Sequence, residues 1–316
     1  MSAPPLYALA PAKINLGLRL GPRRPDGRHE LVSVMQSISL ADELRLEWGE
    51  SEPDEVACPG VDGPAERNLA ALALASFRAE YGWKAPPLRL TIEKRVPVAA
   101  GLGGGSGDAA AALRLASAAA GRDDLDLHAL AAALGSDVPA QLRPGRWLAT
   151  GAGELLAELP PAEPPFGVLV VPLEHALSTA DVYAEADRLC LARDAAELAR
   201  YREALEAALA RGAPLPPEDL LVNDLEAAAR SLCPAIDTAL GRVRESGADA
   251  ALVSGSGPTV LGLFGGEQGP RRAKLAAAAL AAAHGAERAP SLTAAVPVQA
   301  SFGAPRAPMS QFRDSS

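Results

Sequence analysis

The chain has 316 residues, 48% of them hydrophobic, 22% charged and only 4% aromatic. That is the balance of a globular protein with one large or two modest domains, its core built from Ala, Leu and Val. A net charge of −9 argues against nucleic-acid binding by bulk electrostatics, while a local nest of amides can still hold an anion on an acidic protein. Cys58, Cys190 and Cys233 are scattered, with no metal-ligand spacing and no disulfide framework. No run is apolar enough to cross a bilayer, and the opening "MSAPPLYALAPAKINLGL" lacks the pattern of a secretory signal, so a cytoplasmic protein is expected.

In "INLGLRL" (14–20), Ile14, Leu16, Leu18 and Leu20 alternate with other residues, which predicts a strand with Lys13, Asn15 and Arg19 on its opposite face. A turn-rich loop, "GPRRPDGRH", follows. Two strands are expected around 31–40 and 44–48, a helix around 66–81 and a strand over 87–94. The glycine stretch "GLGGGSG" (101–107) leads into a helix from about 107 to 120, and a short helix around 125–134 precedes "LGSDVPA". Strands near 146–150 and 154–159 close a first domain, 1–160, and the proline-dense "LPPAEPPFG" (159–167) marks its end. The second domain, 161–316, opens on the strand "GVLVVPL" and continues through helices around 180–190, 194–211 and 219–231 and another in "CPAIDTALGRVRES". Two strands flank "GSGP", and an alanine-rich helix over 270–284 is followed by a short tail, frayed from about Ala304. Helices and strands mix without strict alternation, which predicts an α+β fold over a doubly wound sheet.

Glycine loses more conformational entropy on folding than any other residue, so four in the five positions 101–105 need a local cause. A linker does not fit between a strand and a helix that leave no slack. From Gly101 the sixth position is Ser106 and from Gly103 it is Asp108, so there is no G-x-G-x-x-G; no Lys-Ser or Lys-Thr pair follows, so there is no Walker loop. Two readings remain open. The turn is either a tight helix–strand packing contact or a set of helix-start amides for a phosphate. In the second reading Ser106 offers a hydroxyl to a phosphate oxygen or a magnesium ion, and Asp108 complements the helix dipole. Taken singly, the other candidates have bland readings. Gly255-Ser256-Gly257-Pro258 is a hairpin turn, and Asp137 before Pro139 is a helix N-cap. Lys13 lies on a solvated strand face, and His29 is a surface loop residue.

Taken together, "PAKINLGL", "RRPDGRHEL", "PVAAGLGGGS", "LGSDVPA" and "SGSGPT" resemble, in that order, the GHMP small-molecule kinase superfamily, over about residues 8–300. "STADVY" and "LLVNDLE" narrow the resemblance to the branch acting on 4-diphosphocytidyl-2-C-methyl-D-erythritol. The resemblance implies a two-domain α+β GHMP kinase fold, its N-terminal domain like ribosomal protein S5 domain 2 and its C-terminal domain ferredoxin-like, with the active site in the cleft between them. It also implies ATP- and Mg2+-dependent phosphorylation of the 2-hydroxyl of that cytidine diphosphate substrate, in the non-mevalonate (MEP) route to isoprenoid precursors. No nucleic-acid or membrane partner is implied. The alternatives are a homoserine- or mevalonate-type GHMP kinase and a non-catalytic GHMP-fold binding protein.

Carried onto this chain, the resemblance makes Lys13 and Asp137 catalytic. It assigns Pro97, Gly101, Leu102, Gly103, Gly104, Gly105, Ser106 and Gly107 to the ATP loop, and Asn68 to the neighbourhood of the ATP nucleoside. Asn15, Arg28, His29, Thr179 and Tyr183 become substrate contacts, His29 at the cytosine ring and Tyr183 by stacking. Two positions depart from the family pattern. Arg28 stands where an aromatic is usual, its guanidinium plane being able to stack on a base, and Gly107 stands where a second serine is common.

Overall fold

The computed structural model describes residues 4–50, 53–61, 67–286 and 296–299. Two long strands organise the first half: β1 (Leu6–Arg23) runs antiparallel to β2 (His29–Trp48), with register shifts between Pro11/Lys13, Asn15/Leu18 and Leu20/Arg23. The apolar face expected over 14–20 is buried, but so is Asn15 opposite it. The strand therefore lies between layers, with no solvated face at this point, and it extends well beyond the alternating stretch. The two strands expected at 31–40 and 44–48 are one. Between the two expected strands stands Asp42, a wholly buried carboxylate. A bare charge there would forbid a continuous strand, but Asp42 accepts the amides of Arg95 (2.6 Å) and Val96 (2.8 Å) and the Lys94 ammonium.

The other edge of β2 is shared by β4 (Leu88–Glu93) and β5 (Arg146–Thr150), which continue to β3 (Glu55–Ala57) and β6 (Leu155–Glu158). Against this six-stranded sheet pack α1 (Leu69–Tyr81) and α2 (Gly104–Ala119). The Ala109–Ala112 run of α2 is completely buried; alanine supports the helix and lets it approach its neighbours closely. Two short helices, α3 (His128–Leu134) and α4 (Val138–Leu142), lead into β5.

The second sheet has the order β10 (Val296–Gln299), β7 (Gly167–Val171), β9 (Val260–Phe264), β8 (Ala250–Val253), all antiparallel. Counted within the sheet that is 4-1-3-2, the ferredoxin-like order expected. Helices α5 (Thr179–Arg188), α6 (Ala195–Leu209), α7 (Glu226–Leu232) and α8 (Ala235–Glu245) lie between β7 and β8, and α9 (Gly269–Ala286) follows β9. The helix expected over 219–231 is broken. A 3-10 turn at Glu218–Leu220 gives way to an extended Asn223, which bridges to Leu18, and helix resumes at Glu226. Strand β10 escapes a sequence reading because four residues with Pro297 carry no usable alternation. The tail expected from Ala304 lies outside the described residues.

The sheets share a core. One cluster of buried side chains holds Ile14, Leu16 and Val34 from the first together with Val168, Val170 and Leu261 from the second. No helix among the described residues is long and apolar enough to cross a membrane.

Candidate active site

The glycine stretch resolves into two parts. Helix α2 starts at Gly104, three residues earlier than expected, with Gly103 as its N-cap in the left-handed region (φ +67°). Low helix propensity hid the first turn. Gly107 already donates to the Gly103 carbonyl at 2.9 Å, while the amides of Gly104, Gly105 and Ser106 have no acceptor among the described residues. They form the positive end of a 16-residue helix and open onto a cleft of about 520 Å³.

The packing reading also holds, at the other glycines. A Cβ on Gly101 (φ +72°) would collide with the Ser254 carbonyl, and one on Gly103 would sit 2.9 Å from both Lys13 Cγ and Gln141 Nε2. Gly103→Ala should therefore cost at least the ~1–2 kcal/mol of a left-handed alanine. Denaturant unfolding of the variant checks this.

Lys13 is buried, not solvated: its side chain is 8% exposed. Its Nζ lies 3.2 Å from Asp137 Oδ2 and donates to Asn15 Oδ1 at 2.9 Å. Asn15 Nδ2 donates to Ser33 Oγ (2.7 Å), and Ser33 donates to the Gly17 carbonyl (2.7 Å). This chain of donors fixes the ammonium in the cleft. Asp137 does occupy the N-cap position of α4, yet its side chain makes no capping bond; it faces Lys13 instead.

Three further expectations change. Asp108 does more than complement a dipole: it is buried and bonded to Lys94 Nζ at 2.7 Å, with Asp42 on the same ammonium. Burial pushes its carboxyl up to about 7 against the pull of Lys94, and the Asp42 charge adds to the rise. Burial opposes the Lys94 charge, and Asp108 and Asp42 overcome it, so its pKa stands above the usual lysine value. Lys94 lines the cleft beside Gly104, whose Cβ would lie 3.3 Å from its Nζ. Asn68 lines the cleft as well, while its side chain caps α1 by accepting the Ala70 amide at 2.9 Å.

His29 is buried, at the start of β2, and pairs through Nε2 with Asp187 Oδ1 at 2.8 Å. Its ring centroid lies 5.4 Å from that of Tyr183, tilted by 37°. Burial and the nearby Asp137 charge push the Tyr183 phenol up to about 12. Thr179 Oγ1 sits 3.1 Å from Ser256 Oγ, which brings α5 to the second glycine turn. Arg28 is not brought to the ring pair; half-exposed, its guanidinium is held by Asp26 (3.1 and 3.2 Å).

The "GSGP" turn does join the antiparallel β8 and β9, as expected of a hairpin, and it also closes the cleft. Asn223 Nδ2 holds the carbonyls of Val253 (2.9 Å) and Gly255 (2.8 Å), and Ser254 Oγ donates to the Gly101 carbonyl at 3.1 Å. Ser33, Lys94 and Asn223 were not singled out from the sequence. Only Asn223, within "LLVNDLE", carried any signal, since a polar residue followed by Asp breaks an otherwise helical run.

Residues 68–145 match the family model of the GHMP kinases N terminal domain, and residues 201–286 that of the GHMP kinases C terminal. The chain belongs to the GHMP kinases. This GHMP kinase is 42% identical over 281 residues to the 4-diphosphocytidyl-2-C-methyl-D-erythritol kinase of Anaeromyxobacter sp. (strain K), covering 86% of this chain and 84% of that protein. It is 45% identical over 255 residues to the enzyme of the same name from Mycolicibacterium gilvum (strain PYR-GCK), covering 79% of each. A crystal structure of a 4-(cytidine 5'-diphospho)-2C-methyl-D-erythritol kinase matches this GHMP kinase at a TM-score of 0.72 and 35% identity, over 94% of this chain and 100% of that one.

Proposed function

We propose that this GHMP kinase transfers the terminal phosphoryl group of ATP to the 2-hydroxyl of 4-diphosphocytidyl-2-C-methyl-D-erythritol, a step of the non-mevalonate route to isoprenoid precursors. The observation that carries the reading is the pairing of buried Lys13 with the partly exposed Asp137, 3.2 Å apart, in the same cleft as the open amides of α2. The names and the 40–45% identity of the relatives support the substrate.

Phosphoryl transfer asks the protein for alignment and charge stabilisation more than for covalent chemistry. The amides of Gly104, Gly105 and Ser106 hold phosphate oxygens, while the Lys94 ammonium beside them is engaged by Asp42 and Asp108. Gly101 and Gly103 supply the close approach. Among the described residues no three acidic, His or Cys side chains converge as a metal site. The donor set instead fits an anion and a magnesium ion carried on it, with Ser106 as the side chain that would hold the metal. Magnesium, when bound, offsets phosphate charge. Asp137 accepts the proton of the attacking hydroxyl, and Lys13 orients that hydroxyl and stabilises charge between it and the phosphorus. A carboxylate is a weak base for an alcohol, so the proton leaves late and alignment contributes most.

The pyrimidine end of the substrate belongs at His29 and Tyr183, with Thr179 beside them and Asn15 toward the reacting hydroxyl. Tyr183→Ala should weaken substrate binding by roughly 1–3 kcal/mol, the range for a base–aromatic stack, as read by calorimetry with a non-reactive ATP analogue present. Unchanged affinity would put the base elsewhere.

Coupled ADP release with the cytidine substrate, homoserine and mevalonate tests the whole reading. Turnover is expected with the first alone. Turnover with homoserine or mevalonate in its place would move the enzyme to another GHMP branch, and no ADP release with any alcohol would favour a binding protein.

A further inference from the structure

Helix α4 is five residues long, too short to sustain itself, and Asp137 at its start caps nothing. Two side chains hold it in place. Arg114 of α2 donates to the carbonyls of Gln141 (2.7 Å) and Leu142 (3.2 Å) and, through its other terminal nitrogen, to Leu9 (2.7 Å). Gln141, only 1% exposed, donates from Nε2 to the Gly103 carbonyl at 2.8 Å. That carbonyl already accepts the Gly107 amide within α2, so Gln141 fills its second lone pair from a different element. Gln141 stands one helical turn from Asp137, and its amide nitrogen touches the residue that starts the phosphate turn.

We propose that Gln141 is a positioning residue that sets the separation between the phosphate turn and the Lys13–Asp137 pair. The inference rests on the kinase reading above. It draws on what Gln141 does badly as well as on what it does well. Its Oε1 is buried with no partner among the described residues; a Cβ at Gly107 would lie 3.4 Å away, but glycine has no side chain to donate to it. A buried acceptor left unpaired is destabilising, and an apolar side chain of the same length avoids that cost. What glutamine supplies here that an apolar side chain of its length does not is the bond to Gly103.

The test compares Gln141→Met and Gln141→Glu with the wild type, using ATP, Mg2+ and the cytidine substrate. Gln141→Met keeps the length and loses the donor. Its Tm should equal or exceed that of the wild type, while kcat falls about tenfold, a modest share of what misplacement of a reacting group can cost. KM for the cytidine substrate should stay within about twofold of the wild type, since the pyrimidine site is untouched. Gln141→Glu donates to Gly103 only when protonated, and burial raises a carboxyl pKa. It should approach wild-type kcat near pH 6 and lose it toward pH 8, beyond any change in the wild-type profile.

A methionine variant with wild-type kcat would overturn the proposal. So would methionine and glutamate variants that lose turnover equally at every pH while their Tm falls. ADP release by the wild type reports separately on the kinase reading. If the wild type is inactive, ATP affinity by calorimetry still decides: the methionine variant should bind about tenfold more weakly, and equal affinity would sink the proposal.

Discussion

Asp137→Asn is expected to lower kcat by roughly 10²–10⁴, the usual range for a lost general base, and to leave ATP affinity within a few fold. The substitution is unusually clean at this position. Loss of an N-cap commonly destabilises a helix, but the Asp137 side chain makes no capping bond, so asparagine removes charge and basicity and nothing else from α4. Lys13 loses its ion pair yet keeps the Asn15–Ser33–Gly17 relay that orients it. The α2 amides proposed to hold phosphate are on another element. Single-turnover ADP formation and ATP titration separate the two effects. Turnover within tenfold of the wild type would remove Asp137 from the proton's path, and loss of ATP binding would make it a nucleotide ligand instead.

Lys94→Met should be the most destabilising single change near the cleft, by about 3–5 kcal/mol, because it removes the cation that two buried carboxylates share. Asp42 is wholly buried and Asp108 nearly so. Asp42 retains the amides of Arg95 and Val96, but Asp108 Oδ1 has no partner among the described residues even with lysine present. The sign of the pH dependence follows. The Asp108 carboxyl, already raised from 3.8 to about 7 by burial, rises further without Lys94. The folded variant then keeps a proton that the unfolded chain has released. Its stability is present at low pH and falls as pH rises through the folded value. Urea unfolding should show a larger deficit at pH 8 than at pH 6, and a deficit that does not change with pH would mean that Asp42, not Asp108, carries the uncompensated charge.

What the sequence disclosed about this site was backbone; what it concealed was partnership. Gly101 and Gly103 are legible because only glycine takes their positive φ without cost, and the alternation from Ile14 to Leu20 marks its strand because the pleat demands it. Lys13, His29 and Asp108 look like surface or helix-end residues until their partners arrive from distant segments: Asp137, Asp187 and Lys94. No local pattern encodes such pairings. The same reason explains the missed continuity of β2, since Asp42 reads as an interruption only while Lys94 and the amides after it are out of view. The start of α2 was misplaced because its first-turn glycines are poor helix formers kept there for the space they leave open. Arg28 is a different case. The resemblance puts it at the base because an aromatic is usual at that position, whereas its guanidinium is held by the nearby Asp26 carboxylate.

The common core has a consequence for how this protein can be handled and how it can move. Ile14 and Val34 belong to the same buried cluster as Val168, Val170 and Leu261, and Ser254 grips the carbonyl of Gly101. Severing the chain in its proline-rich middle would leave each half with a raw greasy face, so the halves are not interchangeable cassettes and should melt in a single cooperative step. Nor can they swing apart like jaws to discharge product without wetting that interior. At the rim of the cleft, Val98 is 61% exposed and Ala99 holds a left-handed backbone.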